Sequence, residues 1–133
     1  MNTIITLTGL LCAGAIAVAA ADLKLDYSKL PAAADKKGVT FAKDIKPLFE
    51  KGCFKCHGPE KQKGDIRLDS LETALKEGEH GKTIVPGKSE KSPLVWSIGR
   101  LHEDIAMPPE GKADPFTKEE VALVRAWIDQ GAK

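Results

Sequence analysis

The feature that most constrains this chain is the pentapeptide Cys53-Phe54-Lys55-Cys56-His57. A Cys-x-x-Cys-His sequence is the local signature by which a c-type haem is attached covalently to a protein. The spacing has a physical reason, because two thiols one helical turn apart can each form a thioether with a haem vinyl group while the adjacent imidazole is aimed at the iron. We therefore predict that Cys53 and Cys56 attach one haem c and that His57 is an axial ligand of its iron.

The iron of such a haem needs a second axial ligand, and Met107 is the candidate. It is the only methionine besides Met1, and it precedes two prolines that restrict the backbone to a stiff loop. A methionine paired with histidine is an established ligand set in cytochromes c. An isolated methionine is otherwise usually a core residue, so His102 as a lower-potential second ligand, or an open sixth position, remain as alternatives.

Two other chemistries are available to the cysteines. A plain disulfide or a thiol-disulfide redox pair would leave His57 without a role, and the redox motif belongs in a βαβ setting that this sequence does not show. A zinc site would need four ligands, and the remaining candidates are His80, His102 and carboxylates. Haem attachment is therefore favoured over both.

The charge balance excludes one class of partner. The chain has 133 residues, with 20 Lys plus Arg against 19 Asp plus Glu, so its formal net charge is +1. There is no net electrostatic attraction to nucleic acid, and no nucleic-acid role is expected.

The first 21 residues are read as a secretion signal. Residues 4–21 are apolar or small and end in alanines that offer several A-x-A cleavage sites, although no Lys or Arg precedes the apolar run. Cleavage would make the protein periplasmic or secreted, whereas a retained segment 4–21 would tether it to a membrane. Residues 22–38 follow as a linker or N-terminal arm, and residues 39–133 form one domain of ordinary size.

Apolar periodicity and capping residues predict the helices. Phe41, Ile45, Leu48 and Phe49 fall on one helical face, which predicts a helix over about 41–51. Its regular part is predicted to begin with Asp44 as N-cap and Pro47 in the first turn. Further helix starts are predicted at Ser70, at Ser92 with Pro93, and at the capping box Thr117 to Glu120, from which the last helix runs to about Gln130.

From Phe41 to Ala132 the chain resembles the planctomycete-type c-type cytochrome domain family, within the mono-haem cytochromes c. The resemblance is carried by Cys53 to Pro59, Gly64 to Ser70, Ile84 to Gly87, Met107-Pro108-Pro109 and Trp127-Ile128. It implies a small all-α cytochrome fold in which N- and C-terminal helices pack around a covalently attached haem. It also implies thioethers at Cys53 and Cys56 and axial ligands at His57 and Met107.

Several polar residues are candidates for contact with the haem or with partners. Arg67 and Arg100 could each pair with a haem propionate, since a guanidinium fits a carboxylate with two parallel hydrogen bonds, and Trp96 could donate its indole proton. An apolar haem pocket is expected from Phe41, Ile45, Leu94, Ile98 and Trp127. A rim that would steer an acidic redox partner is expected from Lys51, Lys55, Lys61 and Lys63.

The function these observations predict is one-electron transfer by an exported cytochrome c, between a donor and an acceptor that the sequence does not identify. No enzymatic activity of its own is expected, although the protein would suit an electron-entry subunit of an oxidoreductase complex. The alternative is a haem-binding enzyme subunit or gas sensor with a displaceable sixth ligand.

Overall fold

The computed structural model describes residues 23–133, so the predicted signal and tether in residues 1–21 lie outside the described part. The described residues are mostly helical, as predicted, but they also contain a small antiparallel hairpin that the sequence did not indicate. No helix within them is long and apolar enough to cross a membrane. The helices and strands are α1 (Lys46–Gly52), α2 (Leu71–Ala74), β1 (Glu77–Gly78), β2 (Gly81–Lys82), α3 (Pro93–Ile98) and α4 (Lys118–Asp129).

The entry helix starts differently from the prediction. A π-helical turn, Phe41–Ile45, precedes α1, and the prediction of Asp44 as N-cap is wrong because Asp44 lies inside that turn. The Asp44 carboxylate instead reaches back and accepts the backbone N–H of Thr40 at 2.9 Å. The wider turn has a local cause, since Pro47 has no N–H and its ring would clash with the carbonyl four residues earlier.

The last helix is the element that organises the core. Its predicted capping box is present, with Thr117 and Glu120 each bonding the other's backbone N–H. The fully buried Trp127 lies 5.8 Å from Phe41 and 6.2 Å from Phe49, ring centroid to centroid. Such aromatic pairs contribute roughly 0.5–1.5 kcal/mol each beyond burial, so they fix α4 across the turn that leads into α1.

The segment before Val39 packs on the domain. The backbone N–H of Asp26 donates to the Leu101 carbonyl at 3.0 Å, and that of Ala34 donates to the Ala122 carbonyl at 2.9 Å. Leu101 lies shortly after the end of α3, and Ala122 lies within α4. Residues 26–34 are therefore held against the end of α3 and against α4.

A buried arginine on α4 completes this attachment and was not predicted. Arg125, 8% exposed, donates to the Ser89 hydroxyl at 3.0 Å and to the Glu90 carboxylate at 3.2 Å. Its guanidinium also donates to the carbonyl of Pro31 in the arm. A buried charge is tolerated only when it is paired and hydrogen-bonded, and these contacts meet that condition while joining three segments of the chain.

Candidate haem-binding site

The pentapeptide forms a single helical turn at the end of α1. The backbone N–H of Cys53 continues the helix by donating to the Phe49 carbonyl at 2.7 Å, and that of His57 donates to the Cys53 carbonyl at 2.8 Å. The carbonyl of His57 in turn accepts the N–H of Leu68 at 2.8 Å. The histidine is thus fixed from both sides of its backbone, which limits the directions in which its imidazole can point.

The residue after the motif has to be glycine. A Cβ built on Gly58 would lie 2.3 Å from the carbonyl oxygen of Phe54, inside the motif itself. No side chain can be accommodated at that separation without moving the backbone of the turn.

We therefore expect Gly58→Ala to lower the fraction of chains that acquire haem, because the displaced Phe54 carbonyl reshapes the turn carrying both cysteines. Strain of this kind typically costs about 1–3 kcal/mol. Mass spectrometry of protein made in cells with a haem-attachment system gives the haem-bearing fraction. The control is Gly38→Ala, where the new Cβ meets nothing within 4 Å and the only strain comes from a φ of +64° outside the motif; equal haem fractions in the two variants would contradict the argument.

One cavity brings four of the predicted site residues together. Cys53, Cys56, His57 and Met107 all line it, and the empty space among its walls, including the mouth open to solvent, is about 970 Å³. The remaining wall is formed by residues from α1 to the segment after Met107: Lys51, Gly52, Lys55, Lys63, Ile66, Leu68, Thr83, Leu94, Ser97, Ile98, Pro108, Pro109, Lys112 and Ala113.

The Met107 loop is attached to the end of α3. The backbone N–H of Met107 donates to the Ser97 carbonyl at 3.0 Å, and the Arg100 guanidinium donates to the Pro108 carbonyl at 3.1 Å. His102, the competing ligand, does not line the cavity, and its Nδ1 accepts the backbone N–H of Asp104. The geometry therefore favours Met107 over His102 as the residue presented to the cavity.

Three of the polar candidates lie outside the cavity wall. Arg67 donates to the Asp69 carboxylate at 2.6 Å and 3.1 Å, so its assignment to a propionate stays a prediction without support from this arrangement. The Trp96 indole donates to the Glu90 carbonyl at 2.7 Å. Arg100 is directed at Pro108, as described above.

The prediction of the apolar pocket is correct for only some of its residues. Leu94 and Ile98 line the cavity, whereas Phe41, Ile45 and Trp127 do not and lie in the core instead. The sequence pattern identified these three as buried but could not tell a core position from a pocket wall. Ile66, Leu68 and Thr83 occupy the wall in their place.

The chemistry of the donor atoms fits a haem. His57 Nδ1 is the only buried side-chain nitrogen or oxygen in residues 23–133 that lacks a hydrogen-bond partner. Burial lowers the pKa of His57, against a smaller opposing effect of the nearby backbone of Lys63 and Ile66. The imidazole is therefore held neutral, which is the form that ligates a metal.

Thioether formation requires reduced cysteines, and Cys53 and Cys56 are both free thiols. Burial, followed by the proximity of Cys56, raises the pKa of Cys53 to about 12. A thiol that stays protonated at neutral pH is a poor nucleophile for disulfide exchange, which counts against the redox-pair alternative.

For the zinc alternative, no group of three or more His, Cys, Asp or Glu side chains in the described residues could hold a metal ion.

Comparison with known proteins agrees with this geometry. Neither the curated proteins nor the solved structures contain a match to the chain. A family model described as Planctomycete cytochrome C matches residues 53–111, the segment that contains both cysteines, His57 and Met107. Cytochrome c domains imply a covalently bound haem with iron and a role in electron transfer. Residues 53–111 of this chain, which hold both cysteines, His57 and Met107, are therefore similar to the Planctomycete cytochrome C family.

Proposed function

We propose that the protein is a mono-haem cytochrome c that passes single electrons between partner proteins. The observation that carries the proposal is the single cavity lined by both free thiols, His57 and Met107. When bound there, haem c supplies an iron that alternates between the ferrous and ferric states.

Each residue has a distinct task. Cys53 and Cys56 would hold the cofactor through two thioether sulfurs, and His57 would bind the iron through its imidazole. Met107 would supply the second protein ligand from its loop. If both residues bind the iron, no ligand position is left for a substrate, so we propose electron transfer and no catalysis of its own.

The sequence supports a proposal for the compartment. Residues 1–21 have the composition of a secretion signal, and we propose a periplasmic or secreted protein. A retained segment 4–21 would place the same domain at a membrane surface, where it would suit an electron-entry subunit.

The mouth of the cavity indicates the kind of partner. Four lysines line it, Lys51, Lys55, Lys63 and Lys112, and no described Asp or Glu does. Lys51 is paired with Glu120 at 2.6 Å, which leaves the other three as the uncompensated charges of the mouth. Lys61, expected in this rim, is not part of the wall. We propose that the redox partners present acidic surfaces to this lysine mouth.

The test of the proposed function is a set of absorption spectra of the full-length protein made with a haem-attachment system. Spectra are recorded oxidised, reduced, and reduced with carbon monoxide. We expect a c-type spectrum that carbon monoxide does not change, with a weak far-red sulfur-to-iron band in the oxidised protein. A spectrum that shifts with carbon monoxide would support the enzyme or sensor alternative, and absence of haem would overturn the proposal.

Charge reversal at the lysine mouth should slow electron exchange with an anion. We expect Lys55→Glu to reduce the rate at which hexacyanoferrate(III) oxidises the ferrous protein by roughly two- to tenfold at low salt, because electrostatic attraction at the site is lost. Stopped-flow absorbance measures the rate. The matched control is Lys43→Glu, an exposed lysine away from the cavity. Equal slowing in both variants, or slowing that persists at high salt, would contradict a role of the mouth.

A further inference from the structure

We infer that Arg100 is a positioning residue that holds Met107 at the cavity. The inference rests on the proposed function, since it concerns the residue proposed as the second axial ligand. It differs from the sequence-based expectation for Arg100, which was contact with a propionate.

The Arg100 side chain contacts the Met107 loop from outside the cavity. It does not line the haem cavity; it lines an adjoining pocket together with Pro108, Lys112 and Ala113, which line both. Its guanidinium donates to the carbonyl of Pro108, the buried residue directly after Met107. The same peptide segment thus faces the cofactor site on one side and Arg100 on the other.

The loop has few other attachments. Pro108 and Pro109 have no N–H to donate, so this stretch can be fixed only through the Met107 N–H and through its carbonyls. The Met107 N–H donates to the Ser97 carbonyl at 3.0 Å, and the Arg100 bond at 3.1 Å holds the next carbonyl. Both anchors come from the end of α3, and they flank the sulfur-bearing residue in the chain.

Arg100 is itself held in place. Its backbone is in the left-handed region, with φ of 54°, and its N–H donates to the same Ser97 carbonyl at 3.1 Å. Its carbonyl accepts from Lys29 Nζ in the N-terminal arm at 3.4 Å. The backbone of Arg100 is therefore fixed on both sides, which limits the directions that its side chain can take.

The backbone conformation also provides a clean variant. Arg100→Gly removes the guanidinium while leaving a residue that adopts positive φ freely, so the fold is preserved. Arg100→Lys keeps the positive charge but shortens the reach. The control is Lys43→Ala, which removes an exposed cation away from the cavity.

The experiment uses the full-length haem-loaded protein and follows two signals with temperature, the far-red sulfur-to-iron band and the helical circular dichroism. We expect Arg100→Gly to lose the band well before its helices melt, with Arg100→Lys between it and wild type and Lys43→Ala unchanged. The ferrous Arg100→Gly protein should also bind carbon monoxide, to which the wild-type protein does not respond.

Two results would overturn the inference: Arg100→Gly behaving like Lys43→Ala, or its band and its helices melting together. A wild-type protein without the far-red band would instead contradict Met107 ligation and so the proposed function. In that case the positioning role is still decided by hydrogen exchange, because it requires the Met107 amide to exchange faster in Arg100→Gly than in Lys43→Ala, with the Val124 amide of α4 unaffected. Equal exchange at Met107 would reject it.

Discussion

Replacing Met107 by alanine is expected to turn a haem protein that does not respond to carbon monoxide into one that binds it. The cavity wall has one thioether, and the other residues of the wall near it, Pro108 and Pro109, offer no side-chain ligand. The reduction potential should fall by a sizeable part of the roughly 0.8 V range that axial ligands set, because the thioether favours ferrous iron. Spectroelectrochemistry and carbon monoxide titration of the full-length protein measure both effects.

The control for this variant is His102→Ala. His102 lies five residues before Met107 in the sequence but outside the cavity, and its Nδ1 is engaged with the Asp104 backbone. Its removal should leave the potential and the carbon monoxide response unchanged. If instead carbon monoxide binds to the iron of the His102 variant and not to that of the Met107 variant, the assignment of Met107 as ligand is wrong and a bis-histidine site is present.

Replacing both Cys53 and Cys56 by alanine should abolish covalent attachment, so that acidified acetone extracts all of the haem. The same variant should be markedly less stable, because the cavity walls include the buried apolar residues Leu68, Leu94 and Ile98. Without a covalently held group these walls must collapse or face water. We expect a loss of about 4 kcal/mol or more, comparable to removing a ligand held at a thousand times its Kd.

The two single variants provide an internal comparison for the double variant. Cys53→Ala and Cys56→Ala each leave one thioether, so each should retain some haem after extraction, and denaturant unfolding should place both between wild type and the double variant. Haem that resists extraction from the double variant would show that these cysteines are not the attachment sites.

The parts of the structure that could be predicted are those set by local sequence. The pentapeptide predicted the turn that carries both cysteines and His57. Ser92 with Pro93 predicted the start of α3, and the Thr117 capping box predicted the start of α4. These signals act within four residues of one another, so they are visible in a sequence.

The parts that were missed depend on contacts between distant segments. Arg125 was not predicted to be buried because its partners, Ser89 and the Pro31 carbonyl, are 36 and 94 residues away in sequence. Arg100 and Arg67 look equivalent as isolated arginines, and only the fold shows that one holds the Met107 loop while the other pairs with Asp69. Pro47 lies in the first turn of α1, as predicted, but the turn before it is π-helical, which the spacing of apolar residues did not distinguish from an α-helical turn.

The attachment of the N-terminal arm determines how far the domain could move from a membrane. Asp26 is bonded to Leu101, so only the residues between Ala21 and Asp26 could act as a leash if segment 4–21 stayed in a bilayer. At about 3.6 Å per residue those five steps reach at most roughly 18 Å, which is less than the diameter of a small domain. A tethered form would therefore lie almost on the bilayer surface and exchange electrons only with partners in that layer, whereas the cleaved form would carry electrons by diffusion.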